Sequence, residues 1–124
     1  MAILLMMLST FSAMAQQSKL KIRIAKIEID PTYLTAYQAA LAEHAEAAVK
    51  VEPGVLTLNA VYDKEHPTHV TVFEIYASEE AYQKHLKTDH FLKYKNGTLK
   101  MVKSLQLTDV EPISLQTKFV PEKR

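Results

Sequence analysis

The chain contains no cysteine, no tryptophan and only two glycines among its 124 residues. Without cysteine there are no disulfides, no thiolate metal site, no cysteine nucleophile and no lipid-anchored cysteine. Two glycines cannot build the loops that cradle phosphates, and neither a G-x-G-x-x-G nor a P-loop motif occurs. Charge of either sign is not in excess, since 15 Lys and Arg stand against 14 Asp and Glu. That balance gives no electrostatic case for nucleic acid or for an acidic membrane surface. What is present is a hydrophobic fraction of 48%, enough for a core. The length fits one domain. With no covalent staples, such a domain is held by packing, by oligomerisation or by both.

The first fifteen residues differ from the rest. Ile3-Leu4-Leu5-Met6-Met7-Leu8 is an apolar run, and Ala13-Met14-Ala15 is a small-x-small pattern before the polar Gln16-Gln17-Ser18. This resembles the core and cleavage site of a secretory signal peptide over residues 1–15, and the run is too short for a stable membrane anchor. A buried N-terminal strand or helix is the other reading, because no Lys or Arg precedes the run. The export reading leaves a domain over 16–124 that is periplasmic or secreted, with no membrane attachment after cleavage.

Beyond Gln17 the hydrophobic periodicity sets the elements. Leu20, Ile22 and Ile24 alternate, and Ala25, Ile27 and Ile29 continue one position out of step. That slip predicts a strand buried on both faces, or a bulge near its middle. Asp30-Pro31 is a helix start, with a capping carboxylate and a proline at the first position. Leu34, Tyr37, Leu41, Ala45, Ala48 and Val49 then form an apolar stripe that stops at Glu52-Pro53-Gly54. Strands are expected over Val55–Tyr62 and Thr68–Tyr76, joined as a hairpin by Asp63–Pro67. Ser78 caps a second helix to about Thr88. Another helical stretch runs from about His90 to Lys103, with a kink at Asn96-Gly97, and a last strand runs from Ser104 to about Leu115. The order βαββαβ is the α+β, ferredoxin-like split βαβ unit. Its helices cover one sheet face. Apolar residues on both sides of the strands, among them Leu56, Leu58, Phe73 and Ile75, call for a homodimer with sheets face to face.

A few polar residues stand out against this pattern. Glu74 interrupts an apolar strand and shares a face with Tyr76. A carboxylate there needs a partner, or a function. His85 lies on the helix face that meets the sheet, three residues after Tyr82, where an imidazole can exchange a proton near neutral pH or simply be a satisfied core group. His90 and Phe91 sit at the junction between helices, where His90 lines a pocket mouth or caps the next helix. Asn59 is a polar residue in the second strand, either a ligand-facing amide or a bulge residue. For a metal the spacing offers little. His85 and Asp89 are four apart, but there is no HExxH or paired-His motif, and the reading is no metal.

The run Phe73-Glu74-Ile75-Tyr76-Ala77-Ser78-Glu79-Glu80-Ala81-Tyr82-Gln83-Lys84-His85-Leu86-Lys87-Thr88-Asp89-His90-Phe91 resembles the antibiotic biosynthesis monooxygenase domain family. The resemblance covers roughly Leu20 to Leu107. It implies a dimeric α/β-barrel whose characterised members oxidise quinols or phenols with molecular oxygen and no cofactor. An enzyme base takes a phenolic proton, and the electron-rich anion reduces oxygen directly. Carried onto this chain, His85 is the proton acceptor, Glu74 orients or tunes it, and Asn59, Tyr76, Tyr82, His90 and Phe91 line the pocket of a small aromatic substrate. Several relatives place Trp near the substrate, whereas here Tyr76 takes the aromatic position. The missing Trp also argues against the haem-degrading branch of the superfold. A non-catalytic dimeric domain that binds a small hydrophobic molecule in the periplasm is the alternative.

Overall fold

A computed structural model describes residues 19–118. The expected signal peptide over 1–15 lies outside those residues. Four strands and three helices follow in the order expected. They are β1 (Lys21–Ile29), α1 (Leu34–Val51), β2 (Val55–Tyr62), β3 (His69–Tyr76), α2 (Glu79–His85), α3 (Asp89–Thr98) and β4 (Val102–Val110). The strands form one sheet in the order β2-β3-β1-β4, and each neighbouring pair is antiparallel. This is the ferredoxin-like βαββαβ arrangement. Within one chain the sheet is open, with β2 and β4 as its edges.

The two apolar sets of β1 explain its phase slip. Ala25, Ile27 and Ile29 belong to the main core with Tyr37, Leu41, Ala48, Val70, Val72 and Tyr76. Ile22 and Ile24 point to the other face, opposite Ile75 and Phe73 of β3. Pairing with β3 runs unbroken from Lys21 to Glu28. Of the two readings of the slip, the strand with apolar residues on both faces is the one seen; the register shift lies at its end, between Glu28 and Ile29 on the β4 side.

Local signals place the helices. The Asp30 carboxylate accepts from the Thr32 N–H at 2.9 Å and caps a 3₁₀ turn, Pro31–Tyr33, that runs into α1. Ser78 accepts from the Ala81 N–H and starts α2, with Glu79 and Glu80 in its first turn, where carboxylates suit the helix dipole. Thr88 caps α3 through the Phe91 N–H. The helix passes through Asn96-Gly97 without a break, and a 3₁₀ turn, Leu99–Met101, leads into β4. A side chain at Gly97 would meet nothing within 4 Å, so no close approach requires glycine there.

Gly54 is required for a different reason. A Cβ on it would stand 2.6 Å from the Ala81 Cβ, closer than two carbons pack. Its carbonyl accepts from the Ala77 N–H at 2.8 Å. The missing side chain lets the turn after α1 press against the start of α2.

Candidate active site

Strand alternation decides what faces the helices. In β3, Val70, Val72, Glu74 and Tyr76 share that face; across from Glu74 sit Arg23 of β1 and Leu58 of β2. Between this face and the helices lies a cavity of about 350 Å³. Glu74, Tyr76, Tyr82, His85 and Phe91 all line it, together with His44, Tyr94, Arg23 and a wall of Val, Leu and Ile side chains. The volume is in the range of small-molecule sites, and so is the mixture of apolar wall and a few polar groups.

Asn59 is not part of this cavity. It pairs with Phe73, so it points to the opposite face of the sheet, where it is exposed. The expected ligand-facing amide is corrected by strand parity, since Leu58 takes the inward position. His90 is half-buried behind the cavity wall and meets a carboxylate rather than the open space.

That carboxylate is Glu52, which sequence reading passed over as part of a turn. Glu52 is the C-cap of α1, with extended backbone. Pro53 favours that conformation in the residue before it, which turns Glu52 out of the helix and toward α2. Its Oε2 lies 2.8 Å from His85 Nδ1 and 2.6 Å from His90 Nε2. A carboxylate at a helix C-terminus is disfavoured by the dipole unless something cationic or hydrogen-bonding meets it. That mismatch was the available signal.

His85 is almost completely buried, at 1% exposure. Its carbonyl accepts from the Thr88 hydroxyl at 2.8 Å, which fixes the end of α2. With Nδ1 donating to Glu52, the ring's lone pair lies on Nε2. That atom is buried and has no hydrogen-bond partner among the described residues. The ring is packed by Tyr76, His44 and Phe91, with centroids 5.2, 5.1 and 5.2 Å away. His44 stacks on Tyr94 at 4.7 Å. Burial and the neighbouring His85 and His90 push its pKa down to about 4, so His44 is neutral beside them.

Glu74 stands apart from the imidazoles. It accepts from the Tyr76 hydroxyl at 3.1 Å. Burial raises its pKa, against the opposing pull of that hydrogen bond and of Arg23. Arg23 stacks over the Tyr82 ring with its guanidinium carbon 4.6 Å from the centroid. It donates to the Tyr82 hydroxyl and to Asp109 at 2.9 Å. The expected pairing of Glu74 with His85 is thus replaced by the pairing of Glu52 with His85, although Glu74 and His85 do share one cavity.

The fold and site define a class: a split-βαβ domain whose helix–sheet cavity holds a carboxylate-oriented histidine. The sequence profile of the antibiotic biosynthesis monooxygenase family matches residues 22–97, and the chain belongs to that family. Among solved structures it is similar to a candidate antibiotic biosynthesis monooxygenase of Bacteroides thetaiotaomicron. The two share 47% identity over 84% of this chain and 99% of the other, with a TM-score of 0.79. A candidate monooxygenase of Lactobacillus acidophilus is 26% identical over 73% of this chain and 43% of its own, with a TM-score of 0.72. A third structure, from Nitrosomonas europaea, shares the fold at 16% identity, covering 77% of this chain and 91% of the other, with a TM-score of 0.72. A search of curated proteins finds no match.

Proposed function

We propose that the protein is a cofactor-independent monooxygenase that oxidises a small quinol or phenol with molecular oxygen. The observation that carries the proposal is His85: a buried imidazole lining an apolar cavity, held through Nδ1 by Glu52, with Nε2 unpartnered. Nε2 accepts the phenolic proton, and the imidazolium so formed is stabilised by Glu52. The phenolate passes an electron to oxygen, and the two radicals combine at a ring carbon. One oxygen atom stays on the ring. The other leaves as water with two hydrogens of the substrate, so a hydroquinone and oxygen yield a hydroxyquinone and water. The protein supplies orientation, proton transfer and a water-poor cavity. Tyr76, Tyr82 and Phe91 hold the ring, and the family and its monooxygenase-named relatives support the reaction class.

The working form is a homodimer built on the bare sheet face, where Ile24, Phe73 and Val61 lie; Val61 is 61% exposed. The apolar stretch within residues 1–15 supports export to the periplasm or beyond. No helix among the described residues is long and apolar enough to cross a membrane.

An oxygen electrode and a panel of substituted hydroquinones test the reaction. Uptake is expected with at least one of them, and His85→Ala lowers it by about 10²–10⁴-fold, the usual contribution of one general base. If no compound gives uptake above the His85→Ala control, the oxygenase reading is wrong. Thermal stabilisation by aromatic ligands without turnover then identifies a binding domain.

A further inference from the structure

Glu52, His85 and His90 are three side chains on three separate elements, and their ligand atoms lie within 4.8 Å of one another. One carboxylate oxygen is within hydrogen-bond reach of both imidazoles. Two imidazole nitrogens and one carboxylate oxygen form a donor set suited to zinc-class divalent ions, with a fourth position left for water. Glu52 is 11% exposed and His90 18% exposed at their side chains, against 1% for His85, so the cluster is sheltered yet reachable from the His90 side. The contacts are of hydrogen-bond length. An ion with bonds of about 2.0–2.2 Å would need all three ligand atoms, the two imidazole nitrogens as well as the carboxylate oxygen, to rearrange to a little over 3 Å from one another.

We infer that this cluster is a site for a zinc-class divalent cation, and that its occupation switches off His85 as a base. The ion takes Nδ1 of His85, where a lone pair must replace the proton now given to Glu52. A neutral imidazole bound through Nδ1 keeps its one N–H at Nε2. On the proposed reaction, Nε2 would then donate a hydrogen bond instead of accepting a proton. Metal binding and proton abstraction exclude each other at one ring. The inference goes beyond the proposed oxidation, and only its inhibitory half rests on that reading.

The test is a Co²⁺ titration of the tag-free full chain, followed by visible d–d absorption and equilibrium dialysis. One ion per chain is expected. His90→Ala and Glu52→Gln should each weaken binding by at least the roughly 10–100-fold that losing even a supporting group costs a metal site. Circular dichroism checks that both variants remain folded. The exposed pair His66 and His69, with ring centroids 5.7 Å apart, serves as the control, and His66→Ala/His69→Ala should bind as the parent does. No Co²⁺ bound at millimolar concentration, binding indifferent to His90→Ala and Glu52→Gln, or binding lost in the control overturns the site. These readouts need no substrate, so they stand even if no hydroquinone is oxidised. Where uptake is measurable, saturating Zn²⁺ should abolish it and a chelator restore it. Undiminished uptake with the ion bound overturns the mutual exclusion.

Discussion

The two ends of the cavity use the same residue types for different ends. Behind the wall at one end a carboxylate, Glu52, meets two imidazoles at hydrogen-bond length, of which His85 lines the cavity. At the other a carboxylate, Glu74, meets a tyrosine hydroxyl with an arginine nearby, and that arginine is already engaged by Asp109 and Tyr82. The first arrangement leaves a basic nitrogen without a partner. The second pairs its polar groups with one another and presents to the space between them ring faces and a carboxyl whose pKa burial raises. On the proposed function, proton chemistry falls to the first arrangement and substrate seating to the second.

The sharpest way to break that division is to neutralise each carboxylate in turn. Glu52→Gln should lower kcat by roughly tenfold to a hundredfold with little change in KM, the worth of about 1.5–3 kcal/mol for a hydrogen bond to a charged group. The pH profile of kcat should shift as well, which a merely structural defect would not produce. Glu74→Gln should act mainly on KM, by a few-fold. Steady-state oxygen uptake separates the two, and a larger kcat loss in Glu74→Gln would reverse the assignment.

The imidazole end also sets a stability signature. His44 has a folded-state pKa of about 4, below the ordinary 6.5. Between these values the unfolded chain binds the proton and the folded one does not. The contribution is therefore complete above pH 6.5 and is lost as pH falls toward 4, by up to about 3 kcal/mol. Glu74, with its raised pKa, acts in the opposite sense as pH rises above the ordinary carboxylate range. The difference between the parent and His44→Phe in urea titrations at pH 4.5 and 7 isolates the histidine. His44→Phe should show the flatter dependence, and parallel curves would remove the buried-neutral assignment.

Gly54→Ala should cost about 1–3 kcal/mol through overpacking, measured by thermal or denaturant unfolding. Adding Ala81→Gly should recover part of the loss, because the clash is with the Ala81 Cβ. The smallest effect belongs to the bare sheet face. Asn59→Ala should leave kcat/KM within about twofold, because its side chain points away from the cavity toward the face of the proposed dimer. A larger loss would bring this residue back toward the cavity.

Periodicity made the element order and the helix-covered face legible, since apolar spacing of two and of three to four carries those directly. Strand parity put Glu74 and Tyr76 on one face and helix phase turned His85 toward the sheet, whereas Tyr82 and Phe91 came into the pocket only through the family resemblance. Glu52 was not legible as a site residue. It lies 33 positions before His85 in an irregular turn, and no periodicity says where a capping side chain points. Asn59 failed for the related reason that β2 shifts register between Val55 and Thr57, so inward and outward positions cannot be counted from its first residue. The three-ligand cluster was hidden as well, because its members are joined in space and not by motif spacing.

The close approach at Gly54 has a mechanical consequence. The turn carrying Glu52 is tied to the segment leading into the helix of His85 through the Gly54 carbonyl and the Ala77 N–H, and Gly54 abuts Ala81 of that helix with no slack for a methyl group. On the proposed function, substitutions in the opposite wall would change which molecules fit while leaving the Glu52–His85 contact in register.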